Sequence, residues 1–143
     1  MEKQKRGNGL MRHVVALFGE AEKGQFKTPY FLKSLPQLID LLGQPPHESE
    51  GLFFAIQALL FERELIYFRV AEEGFSIADY YNGLKILEDR EVVKRLHAIC
   101  LPGVGDGKII DASQNICSLH RSFLITSERD LFDYLTNSKR SSL

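Results

Sequence analysis

The sequence predicts an α/β protein whose small, doubly wound sheet is mostly parallel and four-stranded, with helices on both faces. This is a three-layer sandwich of Rossmann-like or flavodoxin-like type. Two observations predict it. Four short apolar runs typical of strands alternate with segments whose apolar residues recur at helical spacing. Strands connected through helices form βαβ units, which make neighbouring strands parallel and cover both faces of the sheet. A mixed sheet is the alternative architecture.

The first two predicted strands are the most apolar. Residues 13–19 contain two valines and end at a glycine, and their unbroken apolar character is typical of a strand buried on both faces. Residues 65–70 are rich in aromatic and β-branched side chains, which favour strands. The intervening residues 20–33 are predicted to form a long loop, because Gly24 and Pro29 disfavour regular structure.

Two helices are predicted between these strands. Ser34 can cap a short helix at residues 35–42, where Pro36 falls in the first turn and Gly43 follows the last. A second helix starts at Ser49 and carries apolar residues around most of its circumference. We therefore expect the protein to surround it almost completely.

The remaining chain repeats the alternation. A helix opens at Ser76, a strand covers residues 97–101, and an amphipathic helix runs from about Ile109. Residues 122–126 form the fourth strand, and Ser127 caps the last helix. The strand order 2-1-3-4 is our prediction, because it places the most apolar strands at the centre of the sheet.

The composition predicts one domain over residues 13–136, with a flexible basic tail at residues 1–12 and a flexible tail at residues 137–143. A chain of 143 residues buries enough surface to fold without disulfides or a structural metal. Because 18 basic residues are balanced by 19 acidic ones, we expect no nucleic-acid partner. We also expect no membrane partner and a cytoplasmic location, since the first thirteen residues resemble no signal peptide and no long apolar span follows.

A ligand is expected where the predicted strand order reverses, beyond the carboxyl ends of the first and third strands. The loops after these strands are rich in glycine and charge, and an anion such as a phosphate could bind their backbone N–H groups. The candidate ligand-binding residues are Gly19, Glu20, Lys23, Gly24, Gly103, Gly105, Asp106, Gly107 and Lys108. Neither a Walker A motif nor a dinucleotide fingerprint is present. The alternative is that these glycines only make tight turns.

Acidic residues in the same predicted loops suggest a second kind of site. Carboxylates gathered at one sheet edge could hold Mg²⁺ or act as an acid and a base. The residues are Glu20, Glu22, Glu72, Glu73, Asp106 and Glu128. Solvated surface charges and acidic first turns of helices are the competing interpretation.

One spacing resembles a zinc site: His97 and Cys100, then Cys117 and His120, two pairs that each enclose two residues. The predicted structure argues against it. Two residues three apart on a strand point to opposite faces, and Cys117 adjoins an apolar helical stripe. We therefore expect no zinc, whereas a magnesium ion or a nucleotide remains a candidate cofactor.

Aromatic side chains are unusually frequent in the predicted long loop, at Phe26, Tyr30 and Phe31, and Phe75 lies in another loop at the same edge. Such rings either mark a contact surface or fold down as a lid. The sequence shows no serine or cysteine nucleophile with a neighbouring base. We therefore expect a binding or regulatory interaction module that contacts a phosphate-bearing small molecule, with a protein partner or a homo-oligomer as further options. The alternative is a small magnesium-assisted enzyme acting on a phosphorylated or nucleotide substrate.

Overall fold

A computed structural model describes the backbone of residues 11–141 and the side chains of residues 11–137, which form one α/β domain. The sheet has five strands: β1 (Val14–Gly19), β2 (Pro29–Leu32), β3 (Glu64–Arg69), β4 (Ala98–Cys100) and β5 (Phe123–Ile125). The helices in the described part are α1 (Leu35–Leu42), α2 (Gly51–Leu60), α3 (Ile77–Glu88), α4 (Gly107–His120) and α5 (Glu128–Ser141).

The strands lie in the order β2-β3-β1-β4-β5. The four predicted strands correspond to β1, β3, β4 and β5, which pair in parallel, and their order is the predicted 2-1-3-4. The longest pairing joins β1 to β3, from Val14 opposite Glu64 to Gly19 opposite Arg69. The chain first passes from β1 to β3 on one side of β1, and later continues to β4 on its other side. The strand order therefore reverses between β1 and β4.

The prediction of four strands was wrong, because the segment predicted as a long loop contains β2. This strand pairs antiparallel with β3, so the sheet is mixed at one edge. Pro29 was taken as evidence against regular structure, yet it is the first residue of an edge strand. A missing N–H is tolerated in that position, since no second neighbour requires it.

The core has two layers, one on each face of the sheet. β1 is buried along its whole length, as its unbroken apolar pattern predicted. Val15 and Leu17 pack into the cluster beneath α1, α2 and α5, whereas Ala16 and Phe18 pack into the cluster beneath α3 and α4. This alternation follows from the two-residue period of a strand.

Helix α2 is less enclosed than its sequence suggested. Phe53 is 55% exposed and Leu60 is 63% exposed, and Gln57 lies between them on the same outer stripe. The inner stripe contains Leu52, Ala55 and Leu59, which are buried in the core. A helix with apolar residues all round therefore presents one apolar stripe to solvent.

The ends of the described chain lie near the predicted domain boundaries. Helix α5 continues to Ser141, past the predicted boundary at residue 136. Most of the predicted basic tail, residues 1–10, lies outside the described residues. Among the described helices, none combines the length and apolar character required to cross a bilayer.

Candidate functional site

The point where the strand order reverses is covered by the loop after β3, which contains none of the predicted phosphate-binding residues but does contain the predicted acidic candidates Glu72 and Glu73. After β3, the chain crosses above the ends of β1 and β4. Gly74 has a φ of +87°, and a Cβ placed on it would lie 2.3 Å from the carbonyl oxygen of Gly103. The loop after β3 therefore lies directly against the glycine-rich loop after β4, and only glycine allows this approach.

The side chain of Glu73 connects this loop to the rest of the sheet edge. Its Oε1 accepts a hydrogen bond from the Glu50 N–H at 2.9 Å, and its Oε2 accepts one from the Gly51 N–H at 2.8 Å. The same Oε2 accepts from the Glu20 N–H at 2.9 Å. A carboxylate in this position satisfies free N–H groups at the start of α2 and complements the helix dipole.

Glu20 returns a bond to the same loop. Its Oε2 accepts from the Glu73 N–H at 3.0 Å, so each of these residues holds the other's backbone. The buried hydroxyl of Tyr67 donates to the Glu20 carbonyl oxygen at 2.9 Å. Burial, and then the nearby Glu73 carboxylate, raise the pKa of Tyr67 well above its ordinary value. The phenol is therefore a neutral hydrogen-bond donor at physiological pH.

Tyr80 supports the loop from the opposite face of the sheet. Its hydroxyl accepts from the Gly74 N–H at 2.7 Å. Burial is the main cause that raises the pKa of Tyr80 to about 12. Tyr67 therefore holds Glu20 after β1, Tyr80 holds the loop after β3, and both hydroxyls remain neutral at physiological pH.

Gly19 is one of the sequence-predicted ligand residues, and the structure gives it a packing role. A Cβ on Gly19 would lie 2.5 Å from the Gly51 Cα and 2.6 Å from the Tyr67 hydroxyl oxygen. The end of β1 and the start of α2 therefore meet backbone to backbone. Gly51 shares this constraint, and the sequence analysis missed it because a glycine that opens a helix resembles ordinary loop punctuation.

The predicted loop at residues 103–108 forms a tight turn into α4. The Asp106 Oδ1 accepts from the Lys108 N–H at 2.9 Å and from the Ile109 N–H at 3.0 Å. Nothing lies within 4 Å of a Cβ placed on Gly105 or on Gly107. The loop is open to solvent, but two of the N–H groups at the start of α4 already bind a carboxylate of the chain itself.

The other half of the predicted loop site lies elsewhere. The Lys23 N–H donates to the Leu42 carbonyl oxygen at 3.1 Å, and Gly24 packs against the Leu42 side chain. Both residues thus contact the end of α1. The loop after β3 contacts Gly19, Glu20 and Gly103 and so brings them together. Lys23 and Gly24 contact the end of α1 instead.

Contacts hold part of the predicted aromatic loop against the sheet, but Phe26 is still 42% exposed and Phe31, on β2, is 53% exposed. The Arg69 guanidinium lies over the Phe26 ring, 4.4 Å from its centroid, and also donates to the Gly24 carbonyl oxygen at 2.6 Å. The Tyr30 hydroxyl accepts from the Gln25 N–H at 2.7 Å. Phe75, by contrast, is 69% exposed.

The acidic residues named from the sequence do not assemble as a set. Glu20 and Glu73 meet, but Glu22 accepts from the Gln44 N–H beside the end of α1. Asp106 caps α4, and Glu128 lies in the first turn of α5. Across residues 11–137, no three His, Cys, Asp or Glu side chains are grouped so that they could hold a metal ion.

The four residues with zinc-like spacing lie in different surroundings. His97 Nδ1 accepts from the Val14 N–H at 2.9 Å, and His120 Nε2 lies 2.9 Å from the Leu87 carbonyl oxygen. Cys100 and Cys117 are buried in the cores on opposite faces of the sheet. Burial raises the pKa of both thiols, that of Cys117 to about 11, so both are protonated at neutral pH.

A surface groove that the sequence did not predict lies between the N-terminal halves of α2 and α5. It has a volume of about 470 Å³. Its lining residues are Glu50, Phe53, Phe54, Gln57, Glu128, Leu131 and Phe132. Phe53 is 55% exposed and Phe132 is 59% exposed. The neighbouring Leu131, by contrast, is buried in the core. We refer to this feature as the α2/α5 groove.

Comparison with known proteins adds no relative: no family model, no curated protein and no solved structure matches this chain.

Proposed function

We propose that this protein is a non-catalytic interaction module whose α2/α5 groove binds a polypeptide segment of a partner. The observation that carries this proposal is the pair of exposed phenylalanine rings, Phe53 and Phe132, that flank one groove. Large exposed aromatic side chains around a concave apolar surface are characteristic of protein contact sites. The parallel strand order supports a doubly wound scaffold of flavodoxin type, which carries the groove on its helices.

The charges around the groove indicate the chemistry of the partner. Glu50 and Glu128 line the groove, and no lining residue is basic. Within the described side chains, neither carboxylate has an ion-pair partner. The helix dipoles account for acidic residues at the starts of α2 and α5, but they do not account for the exposed rings between them. A segment with apolar side chains next to lysine or arginine would complement this surface.

The phosphate-bearing ligand and the magnesium-assisted enzyme have weaker support. The N–H groups that would bind an anion at the starts of α2 and α4 already bind Glu73 and Asp106. Both oxygens of Glu73 accept backbone hydrogen bonds, so this carboxylate serves the fold. A phosphate or a metal ion would have to displace these contacts.

A titration followed by NMR tests the proposal. The probe is a short amphipathic leucine–lysine peptide, added to the ¹⁵N-labelled full chain. We expect the largest amide shift changes along the α2/α5 groove, and weaker binding of the matched leucine–glutamate peptide. Phe53→Glu and Phe132→Glu should each weaken binding at least tenfold, since aromatic anchors dominate such contacts.

Phe75→Glu is the matched control, because Phe75 is the more exposed ring but does not line the groove. This substitution should leave the affinity unchanged. Shift changes centred elsewhere, or equal binding of the leucine–glutamate peptide, would refute the α2/α5 groove as the contact surface.

A further inference from the structure

One edge of the sheet, strand β5, lies apart from the α2/α5 groove. We infer that β5 binds an extended polypeptide segment by strand addition, and that this segment carries a basic side chain beside the strand. The inference depends on three features of the β5 edge: outward-facing backbone groups, an apolar groove and two carboxylates.

The backbone of Leu124 is directed away from the sheet. The Phe123 N–H donates to the His97 carbonyl oxygen at 2.9 Å, and the Ile125 carbonyl oxygen accepts from the Leu101 N–H at 2.9 Å. Residues on a strand alternate in the side to which their N–H and C=O groups point. Since Phe123 and Ile125 face β4, the N–H and C=O of Leu124 face the open edge.

Of the usual features that prevent strand addition, β5 has a short length of three residues, but it carries no proline and no charge. Phe123 is 49% exposed. The opposite edge strand, β2, begins with Pro29, which removes one backbone donor. The two edges of the sheet therefore differ: β2 lacks one backbone donor, whereas β5 contains no proline.

A groove between β5 and α5 continues this edge. It has a volume of about 290 Å³, and its apolar lining residues are Phe123, Leu124, Ile125 and Tyr134. Asp130 and Asp133 line it from α5 and are exposed. Among the side chains described, neither aspartate has an ion-pair partner. An added strand would place its side chains against this groove, and a lysine or arginine there would meet both carboxylates.

The same carboxylates disfavour a second copy of this chain as the added strand. Pairing of β5 with its own copy would place α5 beside the partner's α5 on the same face of the joined sheet. The aspartates of both copies would then be close together without a lining cation between them. Like charges at such a junction are destabilising, so the charge pattern favours a foreign, basic segment.

The test uses a short alternating lysine–valine peptide, titrated into the ¹⁵N-labelled full chain. We expect amide shift changes at Leu124 and along the first turns of α5. A peptide N-methylated at alternate residues cannot make the main-chain bonds and should bind at least tenfold more weakly, as should a glutamate–valine peptide. Asp130→Asn combined with Asp133→Asn should weaken binding about tenfold.

Asp111→Asn is the control for the aspartate substitutions, because Asp111 is an exposed helical aspartate on α4, on the other face. Phe53→Glu is the control for the α2/α5 groove and should leave this binding unchanged, so the two contact surfaces can fail separately. Leu124→Pro removes the outward-facing N–H together with a side chain that packs on the core, and it should also weaken binding. If this variant does not fold, the N-methylated peptide still tests the main-chain bonds.

Several outcomes would overturn the inference. The first is equal affinity of the N-methylated or the glutamate–valine peptide. The second is self-association of the full chain through β5, shown by sizing chromatography together with shift changes at Leu124 on dilution. The third is a set of nuclear Overhauser contacts between residues 1–10 and Leu124 in the peptide-free protein, which would identify the chain's own N-terminal segment as the occupant.

Discussion

The carboxylate of Glu73 lies 2.8 Å from the backbone nitrogen of Gly51 and caps a helix that begins 22 residues earlier in the chain. This contact ties the loop after β3 to the start of α2. It also occupies a position where many α/β proteins bind an anionic ligand.

Replacement of Glu73 by alanine should destabilise the protein by about 2 kcal/mol, because hydrogen bonds to a charged group are lost at a helix N-terminus. The measurement is urea denaturation followed by circular dichroism. Glu72→Ala is the control, since Glu72 is an exposed neighbouring carboxylate. Its effect should stay within about 0.5 kcal/mol. Equal effects of the two substitutions would show that the cap contributes nothing to stability.

Gly19→Ala should cost about 3 kcal/mol, because the added Cβ would lie 2.5 Å from the Gly51 Cα and the two backbones would have to separate. Gly105→Ala is the matched control, since nothing lies within 4 Å of a Cβ at that position. It should be neutral or slightly stabilising, as it reduces the freedom of the unfolded chain. Thermal and urea unfolding of both variants compare the two positions. A neutral Gly19→Ala would disprove the close approach.

The stability of the protein should fall between about pH 6.5 and pH 4 partly through a histidine pair. The rings of His13 and His97 stack with centroids 4.1 Å apart. Burial, then His13 and two arginines, lower the pKa of His97 to about 4. The unfolded chain protonates His97 near pH 6.5, whereas the folded protein protonates it only near pH 4. The contribution of neutral His97 to the free energy of unfolding is therefore complete above about pH 6.5 and is lost as the pH falls to about 4.

His97→Asn should flatten this pH dependence, since the amide oxygen can still accept the Val14 N–H but does not titrate. The free energy of unfolding, measured at closely spaced pH values, provides the comparison. His47→Asn is the control, because the His47 side chain is 93% exposed, and its pH profile should match that of the parent protein. An unchanged profile for His97→Asn would show that the stacked pair does not control acid stability.

The two cysteines should resist thiol reagents in the native protein. Cys100 and Cys117 are buried, so a reagent has no access to either sulfur. Burial also raises the pKa of each thiol, so neither forms the reactive thiolate at neutral pH. A colorimetric thiol assay should show no fast reaction until denaturant is added, after which both thiols should react. Rapid reaction of a thiol in the folded protein would contradict the described packing around it.

Much of the fold follows from local sequence. The unbroken apolar run in β1 predicted a central strand, and the Ser34 cap predicted the position of α1, because both depend on neighbouring residues alone. β2 escaped prediction for the opposite reason. Its residues are compatible with a loop, and they form a strand only because β3 offers an open edge in the folded sheet.

The candidate surfaces were beyond the reach of sequence patterns. Phe53 and Phe132 belong to helices whose apolar residues resemble core, and only the packing of α2 beside α5 leaves these rings exposed around one groove. Likewise, the sequence suggested Glu73 as a metal ligand or an acid. Its true neighbours, Glu20 and Gly51, are 53 and 22 residues away along the chain.

By itself, the sequence predicted an α/β fold in which four strands alternate with helices and pair in parallel, since hydrophobic periodicity and βαβ connections favour that arrangement. The strand order within the sheet comes from the tertiary structure. Only the tertiary structure decided which carboxylates accept hydrogen bonds from distant backbone groups, as Glu73 does from Glu20 and Gly51. The reason is physical: a carboxylate's role depends on the donors within about 3 Å of it, and those donors come from distant parts of the sequence.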